Sequence, residues 1–381
     1  MNNNKRKGLR TWIEVDKKAL QNNYKEFRKI LSPDTKMCAV VKSNAYGHGL
    51  VDFSVQAEKI GVDYFAVDSI TEAIRLRKEG IKKPILVLGH TLKDRMLDAC
   101  NFDIEITISS FDSLFNVYKI SKGLKKKIKV HLKIDTGMHR QGFMVSDRER
   151  LFEYLEDRVG GVEIVGVYTH FANAKKPDDR KETEKQIEEF VLWKEECVKR
   201  KIGKIFHASA TAGALLYPEA HFDMVRIGMG LYGYYPSPEM KKVFKKSVDI
   251  KSILSWRSVV SEIKQIPKNE GMGYNFTFVT ERKTNIALVP IGYWHGFGRD
   301  FSNVGHVLIR GKKYPMRGSI SMDMIIVDIT AGSQIKVGDV VTIIGEDTAK
   351  HQWANEISSN VEFSYYEFLT RINPLIKKIY I

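Results

Sequence analysis

Lys42 closes an apolar run, Met37–Val41, and is followed at once by a glycine-bearing turn with Asn44, Tyr46 and His48. A lysine leaving a buried strand loses part of its hydration, which lowers its pKa and makes the amine a nucleophile or a base. The same placement also describes an ordinary solvated strand end. Arg226 lies inside another apolar run, and a buried guanidinium needs a partner. Directly after it, GMGLYG at 228–233 fits G-x-G-x-x-G. A dinucleotide fingerprint of that form opens a helix, whereas Tyr234-Tyr235-Pro236-Ser237-Pro238 is no helix interior. The glycines instead let backbone N–H groups approach an anion, with the hydroxyls of Ser209 and Thr211 nearby; tight turns without a ligand are the plainer alternative. His170, after an apolar run, reads by itself as a core histidine. A lysine amine, a phosphate cradle and a side chain facing a ring nitrogen are together what pyridoxal phosphate requires.

These residues need elements to position them. Apolar strand candidates fall at 36–42, 63–68, 84–89, 104–109, 128–134, 162–169, 204–209 and 223–227, with amphipathic helical stretches near 51–60, 70–79, 92–100, 111–122, 146–157, 180–202 and 211–216. The stretch 180–202 is the clearest, with Ile187, Phe190, Val191, Trp193 and Val198 between charges. Eight strands alternating with helices argue for parallel βαβ units, and eight closes an α/β barrel of the (β/α)8 TIM type. A doubly wound open sheet is the alternative. The barrel places chemistry just after its strands. Lys42, DTGMHRQG at 135–142, His170, HASAT at 207–211 and Arg226 with its glycines all fall there.

Past Pro236 and Pro238 the pattern changes to short alternating segments, Val259–Ile266, Asn285–Ile291, Val304–Ile309, Met324–Ile329 and Val340–Ile344. They predict a mostly β C-terminal domain. The division falls at 1–245 and 246–381, with Thr11–Val15 a strand outside the barrel.

The 381 residues carry Lys+Arg 61 against Asp+Glu 46, a net charge of +15. The basic residues are spread, and KKKIK at 125–129 reads as a solvated edge, so nucleic acid is not expected. Cys38, Cys100 and Cys197 form no zinc spacing or disulfide framework, and no metal site is expected. No run approaches the ~20 apolar residues of a membrane span. These features together predict a cytoplasmic protein without a membrane partner.

AVVKSNAYGHG at 39–49 resembles the cofactor-lysine signature of the alanine racemase family, fold-type III pyridoxal-phosphate enzymes. KIDTGMHRQGF at 133–143, THFANA at 169–174, RIGMGLYG at 226–233, IGYWHG at 291–296 and SMDM at 321–324 follow in the family's order. The resemblance spans Thr11 to Tyr366. It implies a head-to-tail homodimer with shared active sites, in which Lys42 carries the cofactor and Lys42 and Tyr274 are the two catalytic bases. It implies that Tyr274, Met322 and Asp323 come from the partner copy. His170 would bond towards Tyr274, and Arg226 would face the pyridine nitrogen. Tyr46, Ser209, Thr211, Gly228 and Tyr366 match the phosphate shell, Arg140 the substrate carboxylate site, and Tyr293 an entrance residue. Lys133 matches a lysine that is often carbamylated in the family. Three places depart from the family pattern: Trp294-His295, Gly273 and Asn275 around Tyr274, and Ala210-Thr211.

The activity so implied is racemisation of alanine, supplying D-alanine for peptidoglycan. Racemisation removes a proton from Cα on one face and returns one on the other, so two bases flanking the plane do it directly. Lysine and tyrosine have reference pKa values of roughly 10.4 and 10, so the site has to favour their basic forms. Serine or another small amino acid is an alternative substrate. A basic-amino-acid decarboxylase would place an acidic group where Arg226 stands, and a non-catalytic cofactor carrier would lack the C-terminal domain.

Overall fold

The computed structural model describes residues 6–156, 160–332, 334–348, 350–359, 361–362 and 364–381. The chain forms two compact units: Lys18–Ser43 with Leu50–Lys251, and the described part of 1–17 with Asn44–Gly49 and Ser252–Ile381.

In the first unit, parallel strands β2 (Lys36–Val40), β3 (Tyr64–Val67), β4 (Ile85–Val87), β5 (Glu105–Ile108), β6 (Ile128–Lys133), β7 (Val162–Tyr168), β8 (Ile205–His207) and β9 (Met224–Ile227) form one sheet. Its order is β8-β7-β6-β5-β4-β3-β2-β9. The seam between β8 and β9 is nearly closed by the hydrogen bonds Asp223 N to Phe206 O and Arg226 N to Ser209 O and a bridge between Ala210 and Arg226. The eight expected strands therefore make the expected barrel, not an open sheet. Most of their residues are buried, on both faces, with half-buried positions mainly at the start of β7, which is why they read as continuous apolar runs. Helices Leu50–Ile60, Ile70–Lys78, Phe111–Ser121, Arg148–Glu156 and Lys181–Lys199 wrap the outside. The long helix buries Ile187, Phe190 and Trp193 on one stripe. Ser69 caps the helix Ile70–Lys78 in a capping box with Glu72.

In the second unit, β1 (Thr11–Val15) lies in a mixed sheet with β10 (Leu254–Val259), β15 (His306–Ile309), β16 (Lys312–Pro315), β18 (Val340–Asp347), β19 (Lys350–Gln352) and β20 (Lys378–Tyr380). Thr11–Val15 is thus outside the barrel sheet. A smaller sheet holds β11 (Glu262–Ile266), β14 (Thr284–Val289) and β17 (Ile325–Asp328); β12 (Gly271–Met272) pairs with β13 (Phe278–Val279). The expected segment Val259–Ile266 is not one strand. The chain changes sheets at Val260 and Ser261, whose N–H groups bond Asp339 O and Leu288 O respectively. Among the described residues no helix is long and apolar enough to cross a membrane, and no group of three or more His, Cys, Asp or Glu is placed to hold a metal ion.

Candidate active site

Lys42 leaves β2 just after two anchors: Val41 N bonds Ala66 O, and the Tyr232 hydroxyl donates to Val40 O at 2.9 Å. Beyond it Ser43, Asn44, Ala45 and Tyr46 all have φ near +50°, one turn of left-handed helix. Such backbone costs roughly 1–2 kcal/mol per residue for L-amino acids, and strain of this kind gathers at functional sites. Ser43 N is held by Glu72 Oε1 at 2.8 Å. At Gly47, φ is +86° and a Cβ would fall 2.1 Å from Leu369 O, so the turn's exit requires glycine. The Lys42 side chain is 38% exposed, with Asp68 Oδ1 at 3.9 Å. Its amine therefore keeps part of its hydration, more than a lysine on a buried strand would be expected to retain.

Arg226 is buried without any carboxylate among its hydrogen-bond partners. Nη1 donates to His207 Nδ1 at 2.7 Å. Nη2 donates to Thr169 O at 2.8 Å, Ala208 O at 2.7 Å and His170 Nδ1 at 3.2 Å. The guanidinium lies 5.2 Å from the centroid of the Tyr168 ring. Burial lowers its pKa to about 10. Its Nε–H meets no protein acceptor among the described residues and is not sealed from solvent, so one donor is open to a ligand. Burial, then the charges of Arg226 and Arg140, push His170 down to about 3. His170 is therefore a neutral imidazole whose Nδ1 accepts from arginine, which leaves the proton on Nε2.

Thr211 Oγ1 accepts from Gly228 N at 3.2 Å and from Gly230 N at 3.3 Å. Its own hydroxyl proton has no described acceptor and is open to an anion, whereas the two glycine amides are taken up by Thr211 and would have to turn to serve one. GMGLYG folds as consecutive turns, with Leu231 N to Gly228 O, Gly233 N to Gly230 O and Tyr234 N to Met229 O. The next helix begins only at Pro238, against a dinucleotide fingerprint. Ser209 fits less directly, because its hydroxyl donates to Ala220 O at 2.8 Å and would have to turn to serve an anion.

Lys133 Nζ donates to Gln141 Oε1 at 3.1 Å and lies 5.6 Å from the centroid of the Tyr168 ring. Burial, then the charges of Arg140 and Arg226, bring its pKa down to about 8. Arg140 ends a loop gathered by Asp135. Oδ1 of Asp135 accepts from the N–H groups of Gly137, Met138 and His139, and Oδ2 from that of Arg140.

The remaining expected site residues lie in the second unit, in two sets. Tyr46 and Tyr366 meet edge to face at 6.5 Å between ring centroids, and burial raises the pKa of Tyr366. Tyr274, Tyr293, Met322 and Asp323 share a loop region. Ser319 Oγ donates to Tyr274 O, while Tyr293 N and Trp294 N bond Ser321 O and Met322 O. Tyr274 is 68% exposed, and Phe276, Tyr293, Trp294 and Met322 are also exposed. His295 is buried, and its Nδ1 accepts from Gly292 N at 3.2 Å. That bond makes His295 a brace for the Tyr293 loop and leaves no proton on Nδ1 for Asp323, 3.8 Å away. Sequence reasoning left out Glu105 and His131 and took His207 only as the start of HASAT, with no role of its own. Their signal was a charged or imidazole side chain inside an otherwise apolar barrel strand.

The fold is a parallel eight-stranded barrel with Lys42, a buried arginine bound by neutral groups, and the Thr211–glycine turns at its strand ends. Two family models match the chain, "Alanine racemase, N-terminal domain" over 15–236 and "Alanine racemase, C-terminal domain" over 253–380. The chain is 37% identical to an alanine racemase of Methanococcus maripaludis over 97% of this chain and 98% of that protein. It is 35% identical to alanine racemase 2 of Oceanobacillus iheyensis, over 97% and 93%. Its structure is similar to the alanine racemase of Clostridium difficile 630, with a TM-score of 0.92 at 34% identity, covering 98% and 96% of the two chains. The Bacillus anthracis enzyme with bound L-Ala-P gives a TM-score of 0.90 at 30% identity, covering 98% and 95%. The chain belongs to the alanine racemase family, which is pyridoxal-phosphate dependent.

Proposed function

We propose that the protein interconverts L-alanine and D-alanine with pyridoxal phosphate as cofactor. The observation that carries this reading is Arg226, a buried cation with neutral partners and one N–H left over, on the strand β9 that pairs with β2, from which Lys42 emerges. Lys42 would hold the cofactor. Arg226 would donate to its ring nitrogen, and Thr211, Gly228, Tyr46, Ser209 and Tyr366 would hold its phosphate. Bound there, the cofactor withdraws electrons from the substrate Cα so that its hydrogen leaves as a proton. Lys42 moves that proton on one face, and Tyr274, from a second copy of the chain, moves it on the other. His170 would offer its Nε2–H towards the Tyr274 oxygen of the second copy.

Arg140 receives the substrate carboxylate, with Met322 and Asp323 of the second copy alongside and Tyr293 at the entrance. Lys133 is a candidate for carbamylation. At about 8, part of its amine is neutral and free to add to carbon dioxide. The new N–C bond releases a proton to water and leaves an anion for Arg140. Residues 1–245 act in this reading as the cofactor-binding domain and 246–381 as the domain that lends Tyr274 to a homodimer. The product supplies D-alanine for peptidoglycan in the cytoplasm. An arginine at the ring nitrogen speaks against a decarboxylase, which uses an acid there.

The test is purification with added pyridoxal phosphate, then chiral analysis after incubation with L-alanine or L-serine. A visible absorbance band is expected, lost in Lys42→Ala, with alanine racemised faster than serine. A protein that stays colourless would refute the reading.

A further inference from the structure

Arg226 is the head of a hydrogen-bonded file that crosses the barrel interior. Its Nη1 donates to His207 Nδ1 at 2.7 Å. His207 Nε2 and His131 Nδ1 are 3.0 Å apart, and His131 Nε2 and Glu105 Oε2 are 2.8 Å apart. The Tyr64 hydroxyl donates to both carboxylate oxygens of Glu105 at 3.1 Å. All five side chains are buried.

Proton positions follow from one constraint. Arginine has no acceptor, so His207 Nδ1 must accept and its proton sits on Nε2. That proton is given to His131 Nδ1, which places the His131 proton on Nε2, aimed at Glu105. Glu105 then accepts from both His131 and Tyr64 and has no proton to give. Burial and Glu105 raise the pKa of Tyr64, which keeps the phenol a donor. Every N–H and O–H in the file points at one carboxylate.

The packing is specific to this route. His131 and His207 stand on β6 and β8, on either side of β7. The strand between them carries Gly166, where a Cβ would fall 2.5 Å from His131 Nδ1. The register of β6 on β7 shifts between Val130 and His131, and an irregularity of that kind re-aims a side chain. Tyr168 stacks on His207 at 4.7 Å with the planes 4° apart, and its hydroxyl is fixed by Thr107 at 2.8 Å.

We propose that Glu105 is a positioning residue for the active site: it fixes the tautomers of His131 and His207, supplies the counter-charge that Arg226 lacks nearby, and so holds the guanidinium with its Nε–H free for the cofactor. What Arg226 faces rests on the racemase reading. The tautomer order of the file does not.

The first measurement is 15N NMR of the cofactor-free wild-type protein with labelled histidine, reading which ring nitrogen bears the proton. Nε2–H is expected for both His131 and His207. A proton on Nδ1 of either ring, or on both nitrogens, overturns the proposal without any variant. Glu105→Gln keeps an acceptor oxygen and loses the charge. It should keep both tautomers, while the kcat falls on the order of tenfold with little change in KM. Glu105→Leu removes the acceptor and should scramble the His131 tautomer. A folded Glu105→Leu protein with wild-type histidine signals and wild-type kcat would also overturn it. A colourless protein that still shows the tautomer order would strike the cofactor reading alone.

Discussion

Arg226→Lys keeps the charge and changes the geometry. Arg226 serves four acceptors: His207 Nδ1, Thr169 O, Ala208 O and His170 Nδ1. A lysine has three donors on one nitrogen, so at least one buried acceptor loses its donor. That loss costs about 1–3 kcal/mol, a fall of several degrees in the melting temperature or a clear drop in the urea midpoint. The charge becomes less secure as well. Burial, the largest influence on it, leaves Arg226 at about 10. A lysine starts about two pKa units lower, so equal burial would bring it to roughly 8.

The sign of the pH effect follows. Below roughly pH 8 both states of the variant are protonated, and the folded state carries the full cost of the buried charge. Between roughly pH 8 and 10 the unfolded chain binds the extra proton, so stability recovers as pH rises. The measurement is urea denaturation of the cofactor-free protein at pH 7 and pH 9, wild type beside variant. The expected result is a deficit that is larger at pH 7. Equal midpoints at both pH values would refute the assignment of these four acceptors to the guanidinium.

Burial brings His48 down to about 4, below the ordinary ~6.5, so its share of stability is intact above pH 6.5 and is lost as pH falls towards 4, at up to about 1.4 kcal/mol per pH unit. His48→Gln, whose amide also donates to the carbonyls of Ala45 and Tyr46, should flatten that limb, and stability curves running parallel to wild type would disprove the cause. Asp135→Asn keeps one oxygen for three N–H groups and gives up the bond to Arg140 N, worth about 1.5–3 kcal/mol when the acceptor is charged. KM for alanine should rise about tenfold with a smaller change in kcat, and Asp135→Ala should be worse; a larger effect on kcat than on KM would count against a loop-ordering role. Mixing inactive Lys42→Ala and Tyr274→Phe chains should restore about a quarter of wild-type activity, because half of randomly paired dimers hold one intact site of two. No recovery in dimers shown to be mixed would mean that one chain builds the whole site.

The barrel was legible because its strands are mostly buried on both faces and separated by helices with a clean apolar stripe. Lys42, His170 and Arg226 could be read as a group because a closed barrel brings the ends of all its strands to one rim, whatever their distance in sequence. The left-handed turn at 43–46 was not legible. Ala45 and Tyr46 are ordinary residues with no preference for positive φ, and the surrounding structure imposes it. The split at Val260-Ser261 was hidden for a related reason. An apolar alternation runs through both strands, and only their partners, Asp339 and Leu288, tell them apart. His295 looked like a departure at the entrance, whereas its ring braces a loop through a single bond to Gly292 N.

The file from Arg226 to Glu105 shows what kind of information a single sequence withholds. His131 and His207 stand on β6 and β8, and no periodicity along either strand links them. The trace lies on β7, between them. Glycine weakens a strand and marks the close approach of another group, and in VEIVGVY at 162–168 it stands where the two imidazoles meet. A charged residue in one barrel strand, Glu105, then requires a donor inside the barrel. The nearest histidine-bearing strand supplies it, and the glycine leaves room for the next link. Read together, the glutamate, the two histidines and the gap imply one path across the interior, and the arginine at its end decides which way its protons point.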